Sequence, residues 1–201
     1  MEILNVKNLN FDESKNKNTL KNVKTHKKTK IKDIKIELSP EIKGTIIHKI
    51  LEIIVNNIQN NLSSQKIKDM TIQDFKLNKL RELDATSQES EIIGYIEQVS
   101  NILSSNQIQN TDIGNLLIEL KTNTKTILTE TPFCYKNKNN LINGFIDLVY
   151  CDRKNKWHII DYKTNLSEKN IEEKYVHQLR IYKEAFFDLT GNRATTSICV
   201  I

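Results

Sequence analysis

Between residues 126 and 164 the chain carries three β-branched and aromatic runs, "TILTETPFCY", "LINGFIDLVYC" and "KWHIIDYKT". The polar stretches "KNKNN" and "DRKNK" separate them, each of hairpin length. This pattern predicts an antiparallel meander of three strands. In an extended strand alternate side chains share a face, so Ile159, Asp161 and Lys163 point one way and His158, Ile160 and Tyr162 the other. Asp161 and Lys163 thus emerge together at the end of an apolar strand. The preceding strand also holds an acid within an apolar run, Asp147 between Ile146 and Leu148. A carboxylate there is costly to bury unless its charge is compensated. Two on neighbouring strands repel each other unless a cation lies between them, and carboxylate oxygens are what Mg²⁺ prefers. The strands alone leave another reading open, in which Asp147 is a surface residue at a hairpin end and Asp161 simply pairs with Lys163.

The elements around this meander follow from pattern. In "LSPEIKGTIIHKILEIIVNNIQ", Ser39 is the expected N-cap and Pro40 the first helical residue. Ile42, Ile46, Ile50, Ile53 and Ile54 then recur at helical spacing. His48 lies within that stripe, one turn after Gly44, where a helix can approach a sheet closely. Helices are expected near 67–83, 88–104 and 111–122, forming a helical insert over 61–122. A helix over about 168–188 follows the meander, with Tyr175, Leu179, Tyr182 and Phe186 along one side, and "ATTSICVI" supplies a last strand. The order is helix, helical insert, three strands, helix, strand, which is an α/β arrangement.

Composition narrows the class. A chain of 201 residues suits one domain with a sizeable core, and no apolar run reaches the length of a membrane span. The first residues lack a secretory layout. Three scattered cysteines, Cys134, Cys151 and Cys199, fit reduced thiols in a cytoplasmic protein and supply no zinc or iron–sulfur spacing. Residues 1–38 hold ten lysines against five acids, while the remainder is balanced. "KNVKTHKKTKIK" (21–32) fits either a phosphate-neutralising arm or a solvated, compositionally biased segment. Residues 1–38 are expected to be a flexible basic segment, and 39–201 the folded domain.

Asp161-x-Lys163 means little by itself, because an acid two positions before a lysine occurs eight times in the chain. Context separates it from Asp33-x-Lys35, which lacks both a preceding Gly-x-x-Asp strand and a following Gln-x-x-x-Tyr helix. Of eight glutamines only Gln178 has a tyrosine, Tyr182, four positions on, which puts the two on one helix face. The ordered set "KGTIIHKILE", "ETPF", "INGFIDLVY", "WHIIDYKT" and "HQLRIY" resembles the RecB/AddA-type nuclease domain of the PD-(D/E)xK superfamily. It spans about residues 39 to 201.

The resemblance implies a restriction-endonuclease-like core, a mixed central sheet flanked by helices, with the insert after the first core helix. It implies that His48, Asp147, Asp161 and the backbone carbonyl of Tyr162 bind Mg²⁺, with Mn²⁺ as a substitute. It also implies that Lys163 is the catalytic lysine, that Gln178 and Tyr182 assist positioning of DNA or of that lysine, and that Glu130 is accessory. The expected activity is Mg²⁺-dependent DNA hydrolysis, as an exonuclease acting on DNA ends in double-strand-break or recombinational repair. The expected partners are DNA and a helicase, whether a separate protein or a further portion of the same polypeptide, because no Gly-x-x-x-x-Gly-Lys-Ser/Thr phosphate loop occurs in these residues. A catalytically idle DNA-binding or scaffold module with the same fold is the alternative.

Overall fold

The computed structural model describes residues 2–5, 29–80, 83, 85–137, 140–164 and 171–201. Helix α1 (Pro40–Asn56) begins as its sequence dictates, with Ser39 Oγ accepting the Ile42 N–H at 3.2 Å. Three further helices follow: α2 (Ser64–Asp74), α3 (Glu89–Leu103) and α4 (Asp112–Thr122). The helix expected to reach residue 83 gives way to π geometry over Phe75–Lys79. The meander comes next as β2 (Thr124–Asn137), β3 (Asn140–Asp152) and β4 (Trp157–Lys163). Helix α5 (Ile171–Thr190) and strand β5 (Ala194–Val200) complete the core.

These strands and β1 (Glu2–Asn5) form one five-stranded mixed sheet. β2–β3 and β3–β4 are antiparallel, as alternating runs joined by short loops require, whereas β1–β3 and β4–β5 are parallel. Two apolar clusters sandwich it. On one face α1 brings Ile46, Ile47, Ile50 and Leu51 against Leu148, Tyr150, Ile160 and Tyr162. On the other α5 brings Ile181, Ala185 and Phe186 against Ile146, Val149 and Ile159. The insert does not form a core of its own: Phe75, Ile96, Val99, Ile113 and Leu120 all join the cluster under α1. Full burial of each such side chain contributes about 1.5–3 kcal/mol.

Most of the segment expected to be flexible lies outside the described residues. Its described parts are packed: β1 pairs with β3, Thr29, Ile31 and Leu38 are buried, and Ile34 and Ile36 lie against the α1-side core. Packing therefore begins before Ser39. Asp33 and Lys35 are both exposed at this margin. Gly44 also differs from expectation, since a Cβ built there meets nothing within 4 Å. It marks open space beside α1 and not a close approach to the sheet. Cys134 is exposed and Cys151 and Cys199 are buried, all as free thiols. Among the described residues no helix is long and apolar enough to cross a membrane.

Candidate active site

The site forms where β3 changes neighbours. β2 accompanies it over nearly its whole length, but its other edge takes β1 at Asn140–Asn143 and β4 at Leu148–Cys151. Among the described residues no strand pairs with 144–147 on that edge. The β3–β4 ladder stops at Leu148↔Ile160, one step before Asp147 would face Asp161. The Asp147 side chain reaches across instead, its Oδ2 accepting the Tyr162 N–H at 2.7 Å. A carboxylate thus replaces a ladder carbonyl where the strands part.

The β2–β3 hairpin also changes face at this point. Ile142 and Ile146 belong to the α5-side cluster but Leu148 and Tyr150 to the α1-side cluster, so even-numbered positions swap sides across Asp147. Its counterpart on β2 is Glu130, between the pairs Thr129↔Leu148 and Thr131↔Ile146. Glu130 has φ 44°, a left-handed conformation that is uncommon for residues with a side chain and costs about 1–3 kcal/mol. Both acids therefore project from one irregularity shared by the two strands.

His48 meets them from the middle of α1. Its Nδ1 lies 3.5 Å from Asp147 Oδ1 and 3.8 Å from Glu130 Oε1. Its ring stands edge-on to Tyr162, with centroids 5.8 Å apart. One ligand atom each from His48, Glu130 and Asp147 fall within 4.8 Å of one another. Asp161 is 1% exposed and forms an ion pair with Lys163, Nζ to Oδ2 at 2.6 Å. The Lys163 ammonium is thus the cation that partners the buried Oδ2.

These contacts leave too much negative charge in too little solvent. Burial pushes the Asp161 carboxyl up, the Asp147 charge adds to this, and Lys163 offsets only part, leaving it at about 6. Burial alone would depress His48, but the Asp147 and then the Glu130 carboxylates raise it to about 9. Burial likewise opposes ionisation of Asp147, yet His48, the Tyr162 N–H and Lys163 hold it below the usual carboxylate range. The imidazolium thus serves as the local cation. The convergence of one imidazole nitrogen and two carboxylate oxygens, from His48, Glu130 and Asp147, fits a divalent ion, which would displace the His48 proton on binding. Asp161 is not one of these three and is held by Lys163.

The remaining predicted residues line the same end of the sheet. Tyr162 gives its N–H to Asp147 and lies opposite Cys199 on β5. Gln178 donates to the Tyr182 hydroxyl at 2.7 Å, and Tyr182 is fully buried, edge-on to Phe133 at 5.6 Å. Burial raises the Tyr182 phenol, and the Asp161 and Asp147 charges raise it further, so it feels both acids. Sequence pattern put Tyr175 in an apolar stripe, but its ring instead carries the Lys163 ammonium 4.8 Å from the centroid. Its position one turn before Gln178 on the same helix was the available signal.

A parted antiparallel pair bearing two buried acids and an Asp-x-Lys end defines a class, and sequence comparison agrees. The chain belongs to the PD-(D/E)XK nuclease superfamily, whose sequence model matches residues 23–197. It is 27% identical over 175 residues to an ATP-dependent helicase/nuclease subunit of Clostridium beijerinckii, in agreement with the RecB/AddA-type resemblance. The alignment takes in 78% of this chain but only 13% of that protein's length. A crystal structure of protein VC1899 from Vibrio cholerae overlays 81% of this chain and 48% of its own, at 10% identity and a TM-score of 0.31.

Proposed function

We propose that this chain is a Mg²⁺-dependent deoxyribonuclease that degrades DNA from its ends, as the nuclease part of a helicase–nuclease in recombinational repair. The observation that carries this reading is the meeting of His48, Glu130 and Asp147 beside the Asp161–Lys163 pair. Phosphodiester hydrolysis needs an attacking water, stabilisation of the charged phosphorane and a route for the departing 3′ oxygen.

His48, Asp147, Asp161 and the Tyr162 carbonyl would hold the ion, with Glu130 as a further donor. When bound, a divalent ion supplies Lewis-acid polarisation of the phosphate and a more acidic water. Asp147 fixes the Tyr162 backbone through its N–H, and so fixes the direction of the neighbouring donors. Lys163 is held between Asp161 and the Tyr175 ring, which aims its ammonium at the position where phosphorane charge develops. Gln178 and Tyr182 form a fixed wall on the α5 side. Water adds to phosphorus and gives up a proton to solvent, the bond to the 3′ oxygen breaks, and that oxygen takes a proton from solvent.

The relative's name couples a nuclease to an ATP-dependent helicase. We place the motor outside these residues, so ATP hydrolysis by the purified chain would contradict the assignment. Asp161→Ala and Lys163→Ala test the site on linear DNA with Mg²⁺. Both should lose cleavage while retaining the parent's circular dichroism. Undiminished digestion by both would refute the site, and Mg²⁺-dependent binding of a labelled duplex without cleavage by the parent would favour the idle-module alternative.

A further inference from the structure

Beyond the site, the β2–β3 hairpin runs on with one face that no described helix covers. Phe133, Ile142 and Ile146 bury the α5 side of this outer half. The opposite side, on which α1 and His48 lie, shows Pro132, Cys134, Lys136, Leu141, Asn143 and Phe145. Register pairs them across the hairpin as Pro132↔Phe145, Cys134↔Asn143 and Lys136↔Leu141. All but Leu141 are exposed.

Phe145 stands out on this face. It is 53% exposed, whereas Ile146 and Asp147 immediately after it are almost fully buried. It lies two residues before Asp147, one pleat or about 7 Å along the strand. It also lies on the stretch of β3 whose second edge no described strand covers. An exposed aromatic ring gains little in water, but it offers a base-sized apolar surface. Among these six hairpin residues there is one lysine and no acid, which suits a phosphate backbone better than an acidic or neutral partner.

We propose that Phe145 stacks a base of single-stranded DNA next to the phosphate being cleaved, with Lys136 following the backbone away from the site. This deepens the nuclease reading and rests on it. Stacking sets the register of the strand: once a base lies on the ring, its neighbouring phosphate falls one pleat away, at the acids. Because every base has a π-face, such a contact fixes position without demanding sequence.

Cleavage of labelled oligonucleotides by the parent, Phe145→Ala and Phe145→Trp in Mg²⁺ tests this, using intact strands and strands made abasic at one position at a time. The Ala variant should keep the parent's thermal stability, since its side chain is half in solvent. On intact DNA its KM should rise on the order of tenfold with kcat little changed, and Phe145→Trp should restore it. At one abasic position next to the cut, the parent should lose the same factor and Phe145→Ala should lose nothing more. Equal, additive losses on intact and abasic strands would overturn the stacking role while leaving the nuclease reading intact. Failure of the parent to cut any strand would overturn both.

Discussion

Two aspartate–histidine pairs sit at opposite ends of the β3–β4 pairing, and they behave differently. At the loop end Asp152 is complete. Its Oδ1 accepts the N–H groups of Lys154 and Lys156 at 2.8 and 2.9 Å, and its Oδ2 meets His158 Nε2 at 3.3 Å. The other His158 nitrogen meets Thr195 Oγ1 at 2.9 Å, and the ring stacks on Tyr150. At the open end three carboxylates, Asp147, Asp161 and Glu130, share two cationic side chains, His48 and Lys163. Both ends set a solvent-shielded aspartate beside a partly exposed histidine, but Asp147 lies deep among protein atoms and Asp152 just under the surface. Only the open end has unmet demand for positive charge, and that distinguishes a site from a staple.

Exchanging the acids one at a time breaks the comparison most sharply. Asp147→Asn should lower DNA cleavage by about three orders of magnitude, the scale of removing a group that organises transition-state charge. Asp152→Asn should leave the rate unchanged and lower the melting temperature instead. An asparagine can still accept these N–H groups but lacks the charge that strengthens the bonds. They hold the Asp152 carboxyl below the usual range, chiefly the one from the Lys156 N–H. Its contribution is therefore present above the ordinary carboxylate pKa and vanishes as pH falls through the lowered one. Parent and variant melting curves should converge in acid.

The second consequence is a pH-dependent response to metal. His48 is raised from 6.5 to about 9 and Asp161 from 3.8 to about 6, so in the metal-free protein both add stability at low pH. The His48 share is complete below pH 6.5 and gone above about 9, and the Asp161 share is gone above about 6. A divalent ion competes with the same protons. Its apparent affinity should rise about tenfold per pH unit between 6.5 and 9, read as a growing Mn²⁺-induced shift in melting temperature. A shift independent of pH would remove His48 from the ligand set.

A smaller effect isolates the surplus charge. Because the net environment disfavours ionised Asp161, Asp161→Asn should stabilise the metal-free protein at pH 8 by up to about 3 kcal/mol while abolishing cleavage. Denaturant unfolding would measure it, and a loss of stability would contradict the charge argument. The smallest effect concerns Gly44. A methyl group there has room and improves helix propensity, so Gly44→Ala should add up to about 1 kcal/mol to the same unfolding free energy.

Much of this was legible in the chain. Strand alternation gave the meander, the Ser39–Pro40 cap gave the start of α1, and the isolated acids Asp147 and Asp161 announced themselves as polar residues in apolar runs. Other features depend on contacts that no local pattern encodes. The pairing of β1 with β3 joins residues far apart in the sequence, and a four-residue strand in a lysine- and asparagine-rich region carries little periodic signal. Ile31, Ile34, Ile36 and Leu38 are core residues separated by charges, which composition averages away. The prominence of Glu130 comes from its left-handed φ, a property of the paired hairpin that its neighbours in sequence do not reveal. Tyr175 could be assigned to a helix face but not to the lysine it supports.

The central claim is that separate elements, α1, β2, β3 and β4, bring their side chains around one divalent cation. Anomalous diffraction from crystals soaked in Mn²⁺ addresses this directly. The account predicts one strong peak touching His48, Asp147 and Asp161, beside the Lys163 ammonium. A peak bound elsewhere, or full occupancy of this position in a His48→Ala, Asp147→Ala double variant, would contradict it.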